Sequence, residues 1–204
     1  VVITICQELQ DTVAAMGHGD RALLIENVMG GDVDDAPTLT SAVIRERWGL
    51  PADAPIVPYT GTFEAYQGLE MLIEAAARLA ATHPAVRVLV VGGALDQVAA
   101  AAETARRLGA ANVVFTGQQP AREIPAFVAA AAILASPRIR GTNTPLKIYS
   151  YLRSGVPIVA TDLLTHTQVL SPEVARLAPP EPGAFASAIA ALLDDPAAGR
   201  SLAE

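Results

Sequence analysis

The stretch from residue 86 to residue 117, "VRVLVVGGALDQVAAAAETARRLGAANVVFTG", decides the fold. Its first part, "VRVLVVGG", is an almost continuous apolar run, which is typical of a parallel strand covered by helices on both faces. The next part, "LDQVAAAAETARRLG", predicts a helix, and "NVVFTG" predicts a second strand. A strand, a helix and a strand joined by short turns indicate a βαβ unit.

The same alternation continues on both sides of this unit. Upstream, "APIVPYTG" predicts a strand and "YQGLEMLIEAAARLAATHP" predicts an amphipathic helix, because its apolar residues recur every three to four positions. Downstream, the strand patterns are "AILASP", "PIVAT" and "VARLAP", and the helix patterns are "REIPAFVAAA", "PLKIYSYLRSG", "LTHTQVL" and "GAFASAIAALLDD". From residue 55 onward the sequence therefore predicts an α/β fold, a Rossmann-like, doubly wound and mostly parallel sheet with helices on both faces.

The beginning of the chain looks like a separate piece. It predicts a strand in "VVITIC", a helix in "QELQDTVAAMG" and a strand in "RALLIEN", followed by a linker rich in Gly, Asp and Pro, "MGGDVDDAP". The sequence begins inside a strand and without methionine, so we expect a fragment of a longer protein. The change of pattern predicts a boundary between residues 1–35 and residues 36–204.

Composition restricts the class of protein. A net charge of −7 and a pI near 4.9 argue against a nucleic-acid partner, which needs a basic surface. The single cysteine, Cys6, cannot form a disulfide within the chain, and no apolar run approaches the roughly 20 residues of a membrane span. We therefore expect a cytoplasmic protein, and its richness in Arg and Ala indicates a bacterial source. The histidines do not stand at metal-ligand spacing, so neither a metal nor a cofactor is predicted.

In a doubly wound sheet, ligands bind beyond the carboxyl ends of the strands. The first loop at that edge, "TGTFEAYQG", contains Gly61 and Gly68. A glycine at such a turn lets the backbone approach an oxygen-rich ligand, and the N-terminus of the next helix favours an anion. A purely structural turn explains the same two glycines, so both interpretations stay open.

The segment "GTNTPLKIYS" is the strongest candidate site in the sequence. Pro145 suits the first position of a helix, so Lys147, the only lysine in the chain, lies in the first turn. A cation there is unfavourable unless an anion joins it, which predicts a phosphate-binding role for Lys147 rather than that of a solvated surface residue. Ser150 follows three residues later and can share a face with it. His166, in the loop "TDLLTHT", either lines the same site or caps and packs a helix start.

Other nucleotide-binding and nucleophile motifs are missing from the sequence. The segment "VVGGALD" lacks the G-x-G-x-x-G spacing of classical NAD binding, and a structural glycine turn is the preferred interpretation. The chain contains neither a Walker loop nor a G-x-S-x-G nucleophile turn.

Four segments, taken together and in this order, resemble the C-terminal domain of retaining family 4 glycosyltransferases, which have the GT-B fold of two facing Rossmann-like domains. These segments are "VPYTGTFEAYQGLEMLIEAA", "VRVLVVGG", "NVVFTGQQPAREIPAFVAAAAILASP" and "PLKIYSYLRSGVPIVATD". The resemblance implies that residues 1–35 are the tail of an N-terminal domain with the interdomain linker. It implies that residues 36–204 are a Rossmann-like domain that binds a nucleotide-diphosphate sugar.

The resemblance also implies a function and a binding site. We expect a retaining transfer of a sugar from the nucleotide sugar to a glycan, lipid or small-molecule acceptor, as in polysaccharide biosynthesis, without a metal. The missing N-terminal domain would bind the acceptor and make any peripheral membrane contact, and no catalytic residue is assigned. The expected substrate-binding residues are Gly61, Thr62, Gln67, Gly68, Gly117, Gln118, Thr142, Asn143, Thr144, Pro145, Leu146, Lys147, Ser150 and His166.

The chain departs from the family pattern at four of these positions. Thr62 and Gln67 stand where many members carry Arg and Lys, and Thr142 and Ser150 stand where many carry two glutamates. Two alternatives therefore stay open. One is a non-catalytic nucleotide-sugar-binding or assembly domain of the same fold. The other is a sugar-nucleotide 2-epimerase, which would use acids and bases such as Glu64, Glu123 and His166.

Overall fold

A computed structural model describes residues 1–26 and 37–204. Every pairing between the strands of these residues is parallel. The strands are β1 Val2–Thr4, β2 Ala22–Leu24, β3 Ile56–Thr60, β4 Arg87–Val91, β5 Val113–Gly117, β6 Leu134–Ser136, β7 Ile158–Thr161 and β8 Arg176–Ala178. The α-helices are α1 Gln7–Ala15, α2 Ser41–Arg47, α3 Leu69–Thr82, α4 Leu95–Leu108, α5 Ile124–Ala129, α6 Lys147–Arg153, α7 Leu164–Thr167, α8 Pro182–Asp194 and α9 Pro196–Ala203. This alternation confirms the predicted Rossmann-like α/β fold.

The strand order places a topological switch point between β3 and β6. Two three-stranded sheets, ordered β3–β4–β5 and β6–β7–β8, lie side by side. β3 neighbours β6, and the N–H of Ala132 donates to the carbonyl of Ile56 at 2.8 Å. The order across both sheets is therefore β5–β4–β3–β6–β7–β8, so the crossover from β3 leads to β4 on one side and the crossover from β6 leads to β7 on the other. Such a switch point is where open α/β sheets bind ligands.

Different helices cover the two faces of β3, because successive side chains of a strand point to opposite faces. Val57 and Tyr59 face a core cluster that includes residues of α3, α4 and α8. Ile56 faces a second cluster with Ile44 of α2 and Phe127 of α5. All five side chains are completely buried, which makes β3 the centre of the doubly wound core.

Two helices differ from the sequence prediction. The prediction that Pro145 occupies the first position of α6 is wrong by two residues, since the helix begins at Lys147 with Leu146 as its N-cap. The N–H of Ile148 bonds to the carbonyl of Pro145 at 3.0 Å, so a tight turn with i to i+3 bonding precedes the helix. Helix α9 was not predicted, because its first residue is Pro196 and it contains Gly199, which are typical of loops.

Residues 1–26 form a small βαβ unit of β1, α1 and β2. It touches the loops of the larger unit, where the Cys6 thiol lies 3.8 Å from the carbonyl oxygen of Thr142 and the Glu8 N–H lies 3.5 Å from Oε1 of Gln168. The predicted linker and the boundary at residues 35 and 36 lie outside the described residues. None of the helices in the described part of the chain combines the length and apolar character needed to cross a membrane.

Candidate functional site

The carboxyl ends of β3, β4 and β5 form one side of the cleft rim, which we name the glycine edge after Gly61, Gly92 and Gly117. The Gly61 N–H donates to the carbonyl of Val91, and the Gly92 N–H donates to the carbonyl of Gly117, both at 3.0 Å. Gly92 has a φ of 132°, and a Cβ there would lie 2.0 Å from the Gly61 carbonyl oxygen. The backbones therefore touch, and a side chain has no room between them.

The carboxyl ends of β6 and β7, with the loops after them, form the opposite side, which we name the polar edge after Arg138, Asn143, Lys147 and His166. Arg138 organises its loop from inside. The side chain is only 6% exposed, and its two Nη atoms donate to the carbonyl and the Oδ1 of Asn143, both at 3.0 Å. Its Nε donates to the Arg140 carbonyl at 2.8 Å.

Close packing holds the Arg138 guanidinium in this position. The ring of Tyr66 lies against it, with 4.8 Å from Cζ to the ring centroid. Gly141 also packs against it, since it has a φ of 131° and a Cβ there would come within 2.5 Å of the guanidinium. The loop is therefore wrapped around a buried cation.

Lys147 joins the two edges. Its Nζ donates to the carbonyl of Thr60 at 3.3 Å and lies 4.1 Å from the centroid of the Tyr59 ring. A Cβ on Gly61 would lie 3.7 Å from this ammonium, so the structure brings Gly61 and Lys147 close together. Burial, and then the charge of Arg138, lower the pKa of Lys147 to about 7.

These two cations have no acidic counterpart in the described part of the chain. The salt bridges formed within residues 1–26 and 37–204 involve neither Arg138 nor Lys147. The described residues also contain no group of three His, Cys, Asp or Glu side chains arranged to hold a metal ion. Arg138 is buried and Lys147 is half-buried. Positive charge that is withdrawn from water without a counterion is costly, which makes the junction of the two edges attractive to an anion.

His166 lies beneath the polar edge and is completely buried. Its Nε2 is 2.8 Å from the Ser136 hydroxyl, and its Nδ1 is 2.9 Å from the carbonyl of Thr161. Burial lowers the pKa of His166 to about 4, with further lowering by Lys147 and Arg138. The ring is therefore neutral, and both nitrogens are used to join β6 to β7. Of the two predicted roles, this geometry favours packing over lining the site.

Two buried tyrosines brace β3 at the cleft. The Tyr59 hydroxyl donates to the carbonyl of Thr62 at 2.6 Å. The Tyr151 hydroxyl, on α6, lies 3.0 Å from the hydroxyl of Thr60 and accepts from the Thr60 N–H at 3.3 Å. Burial raises the pKa of Tyr151 to about 12 and also raises that of Tyr59, so both stay neutral. Tyr151 thereby holds the end of β3 against α6, and Tyr59 holds the turn that follows β3.

Gly68 packs against other residues of the protein and does not face open space. It has a φ of 71°, and a Cβ there would lie 2.0 Å from the carbonyl oxygen of Pro137. The N–H of Ile139 donates to the carbonyl of Tyr66 at 2.9 Å beside it. Of the two interpretations of this glycine, the structural turn explains the close approach.

The remaining residues of the predicted binding site differ in their solvent exposure. Gln67 is half-buried, and its Oε1 is buried without a hydrogen-bond partner among the described residues. Ser150 is half-buried within α6. Exposed positions at the rim are held by Thr62, Gln118, Thr142 and Leu146, and buried positions behind them by Thr144 and Pro145.

The groups considered for an epimerase do not meet in the cleft. Glu123 is buried, and its carboxylate accepts from the N–H and hydroxyl of Thr38 and from the N–H of Leu39. These bonds, the Thr38 side chain first, lower the pKa of Glu123. Glu64 is exposed, and the nitrogens of His166 are already bonded. The carboxylate of Glu123 therefore anchors the start of the α2 segment.

Sequence reasoning missed Arg138, Tyr66 and Ser136. The only available signal was their place, since Ser136 ends a strand pattern and Arg138 follows two residues later in the expected ligand loop. An arginine in a loop ordinarily indicates a solvated surface, so its burial was not foreseeable from the residue type.

Comparison with known proteins shows which family of proteins this chain matches. Residues 54–195 match a family model described as Glycosyl transferases group 1. The chain is 34% identical over 168 residues to a GDP-mannose-dependent alpha-(1-6)-phosphatidylinositol monomannoside mannosyltransferase of Mycolicibacterium smegmatis, covering 78% of this chain and 44% of that protein. It is 30% identical over 155 residues to a D-inositol 3-phosphate glycosyltransferase of Mycobacteroides abscessus, covering 74% and 34%. The chain thus spans less than half the length of these two relatives.

The fold is shared with solved structures across the whole chain. The crystal structure of Anabaena Alr3699/HepE in complex with UDP and glucose superposes with a TM-score of 0.84 at 24% identity, covering 100% of this chain and 56% of that one. Sucrose-phosphate synthase from Thermosynechococcus elongatus superposes with a TM-score of 0.75 at 25% identity, covering 100% and 51%.

Proposed function

The chain belongs to the group 1 glycosyltransferases, and from this premise we propose that residues 36–204 are the donor-binding domain of a retaining glycosyltransferase. The domain binds a nucleotide-diphosphate sugar, and the whole protein transfers the sugar to a glycan, lipid or small-molecule acceptor. Residues 1–35 are the end of an acceptor-binding N-terminal domain and its linker. A non-catalytic binding domain of the same fold is the competing proposal.

The observation that carries this proposal is the pair of cations at the switch point without an acidic partner among the described residues. Lys147 places its ammonium at the end of β3, and Arg138 adds positive potential from the loop behind it. A diphosphate supplies the missing negative charge. Support for a nucleotide sugar also comes from the relative that is 34% identical and whose name is GDP-mannose-dependent.

The proposed mechanism is stabilisation of the leaving group. Lys147 exchanges its bond to the Thr60 carbonyl for one to a diphosphate oxygen, and it retains that bond as the sugar departs and negative charge develops. The glycine edge contributes open backbone, because the rim at Gly61 carries no side chain that would block the phosphates. Gln67 stands at the position at which the resemblance to the family expects a lysine, and it is neutral there.

Calorimetry with this chain tests the proposal. UDP, GDP, ADP, UDP-glucose and GDP-mannose are titrated into the parent and into Lys147→Ala. We expect one of these nucleotides to bind, and Lys147→Ala to weaken it by roughly 10- to 100-fold, the value of a hydrogen bond from a charged donor. Arg140→Ala is the matched control, because that side chain is exposed on the same loop and should leave the affinity unchanged.

Each negative result has a distinct meaning. Equal affinity of Lys147→Ala and the parent would remove Lys147 from the site. Failure of every nucleotide to bind the parent would contradict the donor-domain proposal. If binding occurs but the full-length protein neither hydrolyses nor transfers the sugar of the bound donor, the non-catalytic alternative is correct.

A further inference from the structure

Helix α7 contacts the loop between β6 and α6, residues 137–146, which we name the ligand loop. His166 fixes this helix to the sheet through its bonds to β6 and β7. Thr165 is completely buried and Gln168 is half-buried. They are three residues apart, so both side chains reach the same side of this short helix. The helix is therefore a fixed support from which two side chains hold the ligand loop.

These two side chains bond to two successive carbonyl groups of the ligand loop. Nε2 of Gln168 donates to the carbonyl of Thr142, and the hydroxyl of Thr165 donates to the carbonyl of Asn143, both at 2.7 Å. Oε1 of Gln168 lies 3.5 Å from the backbone nitrogen of Glu8, so each end of the amide faces a suitable partner.

The two carbonyls are not held equally. The carbonyl of Asn143 also accepts from an Nη atom of Arg138 at 3.0 Å, so it keeps a strong donor without the hydroxyl from α7. Among the described residues, the carbonyl of Thr142 has besides the amide of Gln168 only the thiol of Cys6, a weak donor at 3.8 Å. The orientation of this peptide group therefore depends mainly on Gln168.

Holding the carbonyls also fixes where the following N–H groups point. The peptide bonds of the described residues are all trans, and in a trans peptide the carbonyl and the N–H point in opposite directions. The N–H groups of Asn143 and Thr144 therefore point to the side of the loop away from α7. Neither donates to a backbone carbonyl within residues 1–26 and 37–204. Two donors are thus available to an oxygen-rich ligand in the segment that leads to Lys147.

We propose that Gln168 and Thr165 are positioning residues, which orient the ligand loop so that its N–H groups and not its carbonyl oxygens meet the ligand. The inference rests on the proposed function, because the ligand it requires is a nucleotide-diphosphate sugar. A carbonyl oxygen turned toward the phosphates would repel them, whereas an N–H group attracts them. Neither side chain needs to touch the ligand.

Two neutral substitutions of similar size test the proposal. UDP-glucose and GDP-mannose are titrated by calorimetry into the parent, Gln168→Met and Thr165→Val. Gln168→Met should weaken the nucleotide sugar that the parent binds by about 3- to 10-fold, the value of one neutral hydrogen bond. Thr165→Val should weaken it less, because Arg138 still holds the carbonyl of Asn143. Thr167→Val is the matched control, since Thr167 is exposed on the same helix and should leave the affinity unchanged.

NMR of the backbone amides separates positioning from a general loss of structure. In the parent, saturation with the nucleotide sugar should move the proton signals of the Asn143 and Thr144 N–H groups downfield, because each then donates to a ligand oxygen. In saturated Gln168→Met, the shift at Asn143 should be much smaller. The amide signals of β4 should stay like those of the parent, since this strand makes no contact with Gln168.

The outcomes distinguish this inference from the function on which it rests. Equal affinity of Gln168→Met and the parent, or an undiminished shift at Asn143 in this variant, overturns the inference and leaves the donor-binding proposal intact. Altered β4 signals in Gln168→Met would mean that the residue is structural, which also overturns it. Failure of the parent to bind either nucleotide sugar overturns the donor-binding proposal, and this inference with it.

Discussion

The glycine edge and the polar edge meet at one cleft but are built in opposite ways. The glycine edge is shaped by the absence of side chains, because the backbones at Gly61 and Gly92 touch where a Cβ would lie. The polar edge is shaped by buried side chains, with Arg138 bonded to Asn143 and His166 bonded to Ser136. The stability of the glycine edge therefore depends on the size of any side chain placed there, and that of the polar edge depends on charge and pH. Substitutions on the two edges should therefore destabilise the protein for different reasons.

The largest effect is expected from adding one methyl group to the glycine edge. Gly92→Ala combines a backbone φ of 132° with a Cβ placed 2.0 Å from the Gly61 carbonyl oxygen. Strain and overlap together should lower the free energy of unfolding by about 4 kcal/mol, which urea denaturation followed by circular dichroism measures.

Gly109→Ala is the matched control for the overlap. Gly109 has a φ of 70° at the end of α4, and a Cβ there would meet no atom within 4 Å. It should lose only about 1 kcal/mol, from backbone strain. Equal losses in the two variants would show that the contact between Gly61 and Gly92 is unimportant.

The next largest effect is expected from pH on the polar edge. The folded state keeps His166 neutral to about pH 4, whereas the unfolded chain protonates it below about pH 6.5. The unfolded state therefore binds more protons between these values, and the free energy of unfolding falls as pH drops from 6.5 to 4. The full loss is on the order of 3 kcal/mol.

Comparison with a variant isolates this histidine from the carboxylates that also titrate in acid. His166→Gln cannot take up the proton, so its unfolding free energy should decline less steeply than that of the parent over the same range. Parallel pH curves for the two proteins would contradict the assignment. Gly92→Ala should keep the pH dependence of the parent, since its defect is steric.

The smallest effect is expected from removing the hydrogen bonds between Tyr151 of α6 and Thr60 of β3. Tyr151→Phe removes the hydroxyl that contacts both the side chain and the N–H of Thr60, and should lower the free energy of unfolding by about 1 kcal/mol. Thr60→Val removes the partner hydroxyl. The double variant should lose less than the sum of the two single losses, which a double-mutant cycle of unfolding measurements detects. Strict additivity would mean that this bond does not couple β3 to α6.

The fold was largely predictable because local pattern and tertiary fold agree. The apolar run of β4 requires a sheet covered on both faces, and the residues facing the core in α3 recur at helical spacing. The boundaries were less predictable. The first turn before α6 carries Pro145 but bonds as a tighter turn, a distinction that the residue types do not reveal.

The arrangement of the candidate site was predictable for some of its exposed residues and not for its interior, while its function stays a prediction. Gly61 and Lys147 were expected because a glycine turn and a lone lysine are visible in the sequence. The contact of Gly68 with Pro137, by contrast, joins residues that are distant in the sequence and leaves no local pattern. The same holds for the burial of Arg138 and His166, which depends on packing from other elements. Which polar residue faces the cleft is therefore decided by tertiary structure.

The position of the only lysine has a practical consequence for chemistry on this protein. Reagents that acylate amines, including cross-linkers and supports for surface coupling, find a single side-chain target in this sequence, and it lies at the proposed donor site. A partly neutral amine at pH 7 is also a better nucleophile than an ordinary surface lysine. Immobilisation through amines would therefore be expected to occupy the candidate site, while attachment through an affinity tag would leave it open. The single thiol is a poor alternative, because Cys6 is buried and lies 3.8 Å from the carbonyl oxygen of Thr142.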